Sequence, residues 1–298
     1  MSFIEIPAPA KLNLFLNVTG RREDGYHLLQ SVFQLIDLCD TVKLRLRNDG
    51  EICRINPLPN VNPEDDLVVK AARLLKNNFP ISKGVDIDLI KKIPIGAGLG
   101  GGSSDAASTL LGLNYLWNLN LSTQELINLG VKLGADVPFF LFGKNAFVEG
   151  IGDVLTEVKL DLKSYLLIYP GVLIPTKSIF SSPHLTRNRS RITIIDFEEQ
   201  YASNMQFNND LQAVATQMYS EVSMALEWLG KNFPESRPLM TGSGSAVFCE
   251  IPSHVSVEQY LSKLPPMWQG FKVNGLLLHS AYNLKTNVNI QEGSRQVG

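Results

Sequence analysis

The amino-acid sequence predicts an α+β protein with two domains. The chain has 298 residues, more than the ~150 residues of an average domain. Segments that alternate apolar and polar residues, as strands do, are mixed with segments of helical spacing in no strict order. A new apolar strand follows a polar stretch near residue 160, so we predict domains at 1–159 and 160–298.

The composition indicates a globular protein without a strong electrostatic field. Hydrophobic residues make up 44% of the chain and charged residues 19%, and the formal net charge is −2. This charge balance argues against a nucleic-acid partner. Cys39, Cys53 and Cys249 form no disulfide framework or metal-binding pair, which favours a reducing compartment.

The start of the chain lacks a basic and apolar leader, and no apolar run approaches the ~18 residues of a membrane span. We therefore expect a cytoplasmic protein without a membrane partner, acting as a monomer or a weak homodimer. A mature plastid protein that has lost its transit peptide would have the same appearance.

Three antiparallel strands are predicted in the first domain. Residues 1–20 alternate as a half-buried strand does, which places Leu12, Leu14 and Leu16 on one face and Lys11 and Asn13 on the polar face. Residues 40–47 and 85–90 alternate in the same way.

Three helices accompany these strands. Helical spacing of apolar residues predicts them around 67–75, 106–117 and 126–133. The last is preceded by Ser122 and Glu125 at the spacing of a capping box.

The second domain is predicted to begin with the strand 165–169. Helices around 211–229 and 257–264 and a terminal strand at 275–282 follow. The polar, basic stretch 181–191 predicts a mobile surface loop, and the tail after Asn287 is expected to be frayed.

Residues 94–104, which we call the phosphate loop, carry the strongest functional signal. Five of the seven residues from 96 to 102 are glycine, two serines follow, and an amphipathic helix comes next. Glycine permits positive φ, and the start of a helix offers free N–H groups and the positive end of its dipole. The segment therefore predicts a cradle for a phosphate group.

Other interpretations of this segment are weaker. A tight turn for strand–helix packing would not need so many glycines, and a Walker A loop would need a lysine that is absent here. Gly96, Gly98 and Gly101 match the dinucleotide spacing, but the nearest acidic candidate for the ribose, Glu125, belongs to the capping box. Dinucleotide binding is therefore the second choice.

The phosphate loop resembles that of the galactokinase, homoserine kinase, mevalonate kinase and phosphomevalonate kinase (GHMP) superfamily. Residues 9–14 and 240–248 resemble its other two motifs and lie in the expected order. Residues 22–28, 133–140 and the variant with Asp105 after the two serines resemble the branch that serves the non-mevalonate isoprenoid pathway.

The resemblance implies a ribosomal-S5-domain-2-like ATP-binding domain followed by a ferredoxin-like domain. It also implies ATP and Mg²⁺ as cofactors and a small-molecule alcohol that carries a cytidine diphosphate group. Lys11 and Asp136 would be the catalytic pair, and Asn13, Tyr26 and His27 would bind the acceptor; no side chain is assigned as a metal ligand. The ATP-binding residues would be Pro94, Ile95, Gly96, Ala97, Gly98, Leu99, Gly100, Gly101, Gly102, Ser103 and Ser104.

Each candidate also has an ordinary structural interpretation. Lys11 would be a solvated charge, and Asp136 would cap the helix that starts at Val137. Tyr26 would pack on the core with His27 as a surface cap, although two adjacent rings also suit stacking on a pyrimidine.

Three further positions bear on the nucleotide and the metal. Asp105 would assist Mg²⁺ or act as ordinary helix capping. Asp66 stands where the resembling kinases have Asn near the base, and Thr241 replaces the commoner serine but keeps the hydroxyl. His184, His254 and His279 have no companions at metal-ligand spacing, so we expect them to be structural.

Overall fold

A computed structural model describes residues 3–58, 61–203, 205 and 207–283. Within them, the first part of the chain forms a six-stranded sheet with β1 Ile4–Arg21, β2 His27–Arg47, β3 Ile52–Arg54, β4 Gly84–Ile90, β5 Ala146–Glu149 and β6 Val154–Glu157. The strands pair as antiparallel neighbours except β3, which lies parallel to β4. The long strand β2 lies at the centre of this sheet, where it pairs with β1, β4 and β5.

Four helices pack on this sheet: α1 Leu67–Asn78, α2 Gly101–Leu116, α3 Thr123–Gly130 and α4 Val137–Phe142. Helix α2 lies close to β1, because a Cβ on Gly112 would be only 2.1 Å from Cδ1 of Ile6. The buried face of α2 includes Ala106, Leu110 and Leu113. The capping box predicted for α3 is present, with Ser122 and Glu125 exchanging both hydrogen bonds.

The later part of the chain forms a four-stranded antiparallel sheet. Its strands are β7 Ser164–Tyr169, β8 Leu239–Met240, β9 Val247–Ile251 and β10 Gln269–Asn274, in the order β10-β7-β9-β8. The helices are α5 Thr176–Ser181, α6 Ile194–Ala202, α7 Asp210–Met218, α8 Ser220–Asn232 and α9 Glu258–Leu261, and a 3₁₀ helix spans Ser280–Asn283. The α+β class is thus confirmed, and the boundary at 159/160 stays a prediction.

The prediction of a half-buried first strand is wrong. Lys11 and Asn13 are as buried as Leu12 and Leu14. The edge of β1 that does not pair with β2 is covered as well, since the backbone N–H of Lys11 donates to Leu99 O at 3.0 Å and that of Asn13 donates to Thr241 Oγ1 at 3.0 Å. The phosphate loop and Thr241, which follows β8, therefore lie against this strand.

Three predictions for the second domain also need correction. The terminal strand is β10, not 275–282, because the pairing with β7 ends at Asn274, and beyond it Gly275 and Leu278 form only isolated bridges. The predicted helix 211–229 is two helices, broken at Tyr219, whose backbone is extended with φ −134° and ψ 103°. The helix predicted at 257–264 is only the short α9.

Residues 181–191 are held by two arginines. Arg187 donates to the carbonyl oxygens of Phe180, Ser182 and Leu185, and Arg189 pairs with the buried Asp210. Nothing in these contacts supports the predicted mobility of the loop. The predicted fraying after Asn287 lies outside the described residues.

His279 ties the 3₁₀ helix to α2 from a fully buried position. Its Nδ1 accepts from the backbone N–H of Ala281 at 3.1 Å, so Nε2 carries the proton and faces Ser108 Oγ at 3.3 Å. Burial lowers the pKa of His279 from 6.5 to about 3. The structural role expected for this histidine agrees with these contacts.

The buried neutral His279 is expected to make stability depend on pH. Between pH ~6.5 and ~3 the unfolded chain binds one proton more than the folded chain at this residue, so its contribution falls as pH falls, by about 1.4 kcal/mol per pH unit. Urea unfolding at pH 7, 6 and 5 measures this slope. His279→Asn should flatten it, whereas the exposed control His254→Asn should not; equal slopes in all three proteins would contradict this.

Candidate functional site

A cavity of about 470 Å³ lies beside the phosphate loop and the residues that follow β8. Lys11, Asn13 and Asp136 line it together with residues 94–103 of the phosphate loop. Gly242, Ser243 and Gly244 also line it. The structure thus brings to one place three sequence motifs, of which the first and the last lie more than 200 residues apart along the chain.

The phosphate loop has the backbone that its glycines predict. Gly96, Gly98 and Gly100 have φ of 69°, 78° and 72°. Gly100 is the N-cap of α2 and has no side chain to cap the helix, so the first N–H groups of α2 are left for a ligand. The sixteen residues of α2 add a dipole with its positive end at the cavity.

Gly98 sits where the loop touches the third motif. A Cβ there would lie 2.3 Å from the carbonyl oxygen of Thr241, and the backbone N–H of Ala246 donates to Ala97 O at 3.1 Å beside it.

Gly98→Ala is therefore expected to displace the phosphate loop and weaken ATP binding at least about tenfold, since it combines a backbone clash with a strained φ. Isothermal titration with a non-hydrolysable ATP analogue measures this. Gly230→Ala in α8 is the matched control, because the nearest atom to its added Cβ is 3.8 Å away. Wild-type affinity in Gly98→Ala would show that the loop conformation does not matter for the nucleotide.

Lys11 is a buried ammonium group at the floor of the cavity. Its Nζ donates to Asn13 Oδ1 at 2.5 Å, lies 4.8 Å above the centre of the Phe33 ring and is 3.9 Å from Asp136 Oδ2. Burial lowers the pKa of Lys11 below its ordinary value, and the nearby Asp136 carboxylate offsets only part of this shift. Its interpretation as a solvated charge is wrong.

Asp136 stands at the N-cap of α4, but its side chain does not cap the helix. It makes no capping hydrogen bond, and a third of the side chain is exposed to the cavity region. Lys11 is the partner that lies within 4 Å. The carboxylate is therefore free to accept a hydrogen bond from a ligand, and its interpretation as a helix cap is wrong.

Asn13 turns its side chain inward. Its Oδ1 accepts from Lys11 Nζ and from Thr241 Oγ1 at 3.2 Å, and its Nδ2 donates to Ser31 Oγ at 2.9 Å. In this state Asn13 positions Lys11. Its predicted contact with an acceptor stays a prediction.

Tyr26 and His27 are not among the residues that line the cavity. Tyr26 is 60% exposed, so its interpretation as a core residue is wrong. The His27 ring packs against Phe180 with centroids 4.9 Å apart, and Phe180 lines the cavity. An extended ligand would have to reach from Asp136 to Phe180 to use both ends.

Several cavity residues carry no local signal of function. Lys91 pairs with Asp105 at 2.7 Å and with the buried Asp40, and burial holds the pKa of Asp105 above its ordinary value. Asp105 therefore anchors the start of α2 through Lys91 and is not an ordinary helix cap.

Phe180 could not be found from the sequence, because nothing near it in the chain marks it.

Asp66 has a structural role at the rim of the cavity. Its carboxylate caps α1 by accepting from the backbone N–H of Val68 at 3.1 Å and pairs with Arg54 Nε at 2.9 Å. Both oxygens therefore already have partners. The position where related kinases have Asn is occupied here by part of a buried ion pair.

The donor set for a metal ion is small. Among the described residues, no three His, Cys, Asp or Glu side chains are grouped to hold a metal. Ser104 Oγ is buried without a hydrogen-bond partner at the start of α2. Ser104 itself is not among the residues lining the cavity, whereas Ser103 is.

No helix in the described part of the chain is long and apolar enough to cross a membrane. Residues 66–144 match the family described as GHMP kinases N terminal domain.

Proteins named 4-diphosphocytidyl-2-C-methyl-D-erythritol kinase resemble the chain over nearly its whole length. The one from Polynucleobacter asymbioticus is 55% identical over 284 residues, covering 94% of this chain and 96% of that protein. The one from Ralstonia nicotianae is 50% identical over 275 residues, covering 92% and 94%.

Solved structures show the same architecture. A 4-(cytidine 5'-diphospho)-2C-methyl-D-erythritol kinase aligns with a TM-score of 0.79 and 31% identity, covering 91% of this chain and 99% of that chain. A mevalonate kinase aligns with a TM-score of 0.63 at 17% identity over 91% of this chain and 99% of that one, a likeness of fold alone.

Proposed function

The chain belongs to the family of 4-diphosphocytidyl-2-C-methyl-D-erythritol kinases, and from that premise we propose that it transfers the γ-phosphate of ATP to the 2-hydroxyl of 4-diphosphocytidyl-2-C-methyl-D-erythritol. The products are the 2-phosphate of this alcohol and ADP, in the non-mevalonate isoprenoid pathway. The two-domain GHMP kinase fold predicted from the motifs is confirmed.

The observation that carries the proposal is the meeting of Lys11 and Asp136 beside the phosphate loop. A kinase for small alcohols needs a phosphate cradle, an acceptor for the alcohol proton and a positive charge near the transferred group. The cavity has one of each, in a chain 55% identical to a relative with this name.

The proposed transfer is a direct in-line displacement. The bond from the γ-phosphorus to its bridging oxygen breaks, the acceptor oxygen forms a new bond to phosphorus, and ADP keeps the bridging oxygen. Asp136 orients the 2-hydroxyl and takes its proton late in the step, because a carboxylate is a weak base towards an alcohol.

Lys11 stabilises the charge on the transferred group. Its ammonium is desolvated and is held by Asn13 on one side and Asp136 on the other. In such a site a positive charge interacts with phosphoryl oxygens more strongly than in water. The free N–H groups at the start of α2 and the phosphate loop residues 94–104 hold the other phosphates.

At the far end, Tyr26 and His27 bind the cytosine. The exposed Tyr26 ring offers a face for stacking, and His27 lies against Phe180 at the cavity wall. A long acceptor would span the distance between this end and Asp136.

Mg²⁺ would accompany ATP, held largely by the phosphates, and would neutralise their charge. The unpartnered hydroxyl of Ser104 at the start of α2 would be the candidate ligand from the protein.

Lys11, Asp136 and the phosphate loop come from one chain, which fits a monomer or a weak homodimer as the working form. A cytoplasmic location fits the use of ATP and the free state of the three cysteines.

ADP release from purified protein, ATP and Mg²⁺ tests the acceptor. We expect release with 4-diphosphocytidyl-2-C-methyl-D-erythritol and none above background with homoserine, mevalonate or galactose. Turnover of another of these alcohols instead would change the acceptor but keep the fold. ATP binding with no turnover of any acceptor would indicate a non-catalytic nucleotide-binding module.

A further inference from the structure

His27 is held by a neighbour that no motif marks. Arg187 Nε donates to His27 Nε2 at 3.0 Å, across 160 residues of sequence. Arg187 itself cannot swing away easily, because its other nitrogens donate to Leu185 O at 3.0 Å, Phe180 O at 3.0 Å and Ser182 O at 2.7 Å. One arginine therefore fixes both the backbone that follows α5 and the ring of His27.

The hydrogen bond determines the state of the imidazole. A guanidinium group is always charged and can only donate, so His27 Nε2 must accept and cannot carry a proton. The ring is then neutral, with its proton on Nδ1. Burial lowers the pKa of His27, and the charges of Arg187 and Arg21 lower it further, in agreement with this geometry.

The remaining donor of His27 is its Nδ1–H group. No described residue accepts a hydrogen bond from Nδ1, and Phe180 covers part of the ring with centroids 4.9 Å apart at 31°. Nδ1–H is thus the polar group that His27 offers to a ligand, and stacking is not its main role.

We propose that Arg187 is a positioning and specificity residue, which holds His27 as the Nδ1–H tautomer so that it donates to the acceptor edge of the cytosine ring. Cytosine presents N3 and O2 as adjacent acceptors, whereas uracil carries a proton on N3 that would face the donor of His27. The arrangement therefore selects a cytidine over a uridine diphosphate group. This inference rests on the proposed function for the identity of the acceptor, but its statement about the tautomer does not.

The tautomer is tested on the unaltered protein. Long-range ¹H–¹⁵N spectra of ¹⁵N-histidine-labelled protein separate the two neutral forms and the charged form, and His27→Gln identifies the signal among the four histidines. We expect the Nδ1–H form of His27 at pH 7 and still at pH 6. A signal of the Nε2–H form, or a charged ring at pH 6, would overturn the proposal whatever the enzyme phosphorylates.

The specificity role is tested with Arg187→Gln and Arg187→Lys. We expect the KM of the cytidine acceptor to rise about tenfold, with the KM of ATP and kcat little changed, and the preference over the uridine analogue to fall about tenfold, the cost of one misdirected hydrogen bond. In both variants the His27 signal should show mixed tautomers and become charged at a higher pH than in the wild type.

Arg191→Gln is the matched control. Arg191 lies on the same segment with an exposed side chain, pairs with Glu149 at 3.3 Å and makes no contact with His27. It should keep wild-type constants. Unchanged discrimination in well-folded Arg187 variants would overturn the proposal, whereas a wild-type enzyme that does not use the cytidine acceptor would overturn the proposed function instead.

Discussion

Asp136→Asn is expected to lower kcat at least about a thousandfold and to leave the affinity for ATP within about threefold of the wild type. The two side chains have the same size, and the carboxylate makes no capping hydrogen bond, so the helix that follows loses nothing. What is lost is the acceptor for the alcohol proton. The charge that opposes the lowering of the Lys11 pKa is lost as well.

Rapid-quench kinetics with saturating ATP and acceptor measure the chemical step, and titration with an ATP analogue measures binding. Asp153→Asn serves as the control, because Asp153 is an exposed turn residue whose carboxylate accepts from the backbone N–H of Ile151 at 3.0 Å. A kcat within tenfold of the wild type in Asp136→Asn would remove Asp136 from the mechanism.

Lys11→Met is expected to abolish most turnover without destabilising the fold. Methionine fills a similar volume, and the ammonium is buried with a cost of desolvation that methionine does not have. We therefore expect a loss in kcat/KM of about a thousandfold or more, with an unfolding free energy equal to or above that of the wild type.

Denaturant unfolding and steady-state kinetics on the same preparation separate the two effects. Lys43→Met is the control, since Lys43 is a half-exposed lysine on β2 paired with Glu5 at 2.7 Å. If Lys11→Met had a clearly lower free energy of unfolding than the wild type, the lysine would have a structural role. Its assignment to the phosphoryl group would then be withdrawn.

Local sequence rules predicted the features that depend on near neighbours. The capping box of Ser122 and Glu125 needs only residues three apart, and the strand 165–169 and the phosphate loop have strong local patterns. For the site, Lys11, Asp136 and the phosphate loop were predicted from motifs, and the structure brings them together in one cavity.

Burial across domains could not be predicted from alternation. The pattern places Lys11 and Asn13 opposite the apolar residues of β1, but both are buried, and the strand meets residues 99 and 241, far along the chain. The same holds for Arg187, whose hydrogen bond to His27 joins two segments that share no sequence pattern. Long-range contacts decide both cases.

The errors at the C-terminal end have a similar origin. An apolar run such as residues 276–278 looks like a strand, but the sheet register ends at Asn274, where β10 pairs with Ser164. Tyr219 breaks a continuous helical pattern at an extended residue that its side-chain type does not mark.

The position of the new phosphate tests the central claim most directly. ³¹P NMR of the product formed from ATP and 4-diphosphocytidyl-2-C-methyl-D-erythritol should show one new monophosphate ester coupled to no proton on its attached carbon, as expected for the tertiary C2 oxygen, with the diphosphate signals retained. A product phosphorylated at a carbon that bears hydrogen, or ADP formed without any new ester, would contradict the account.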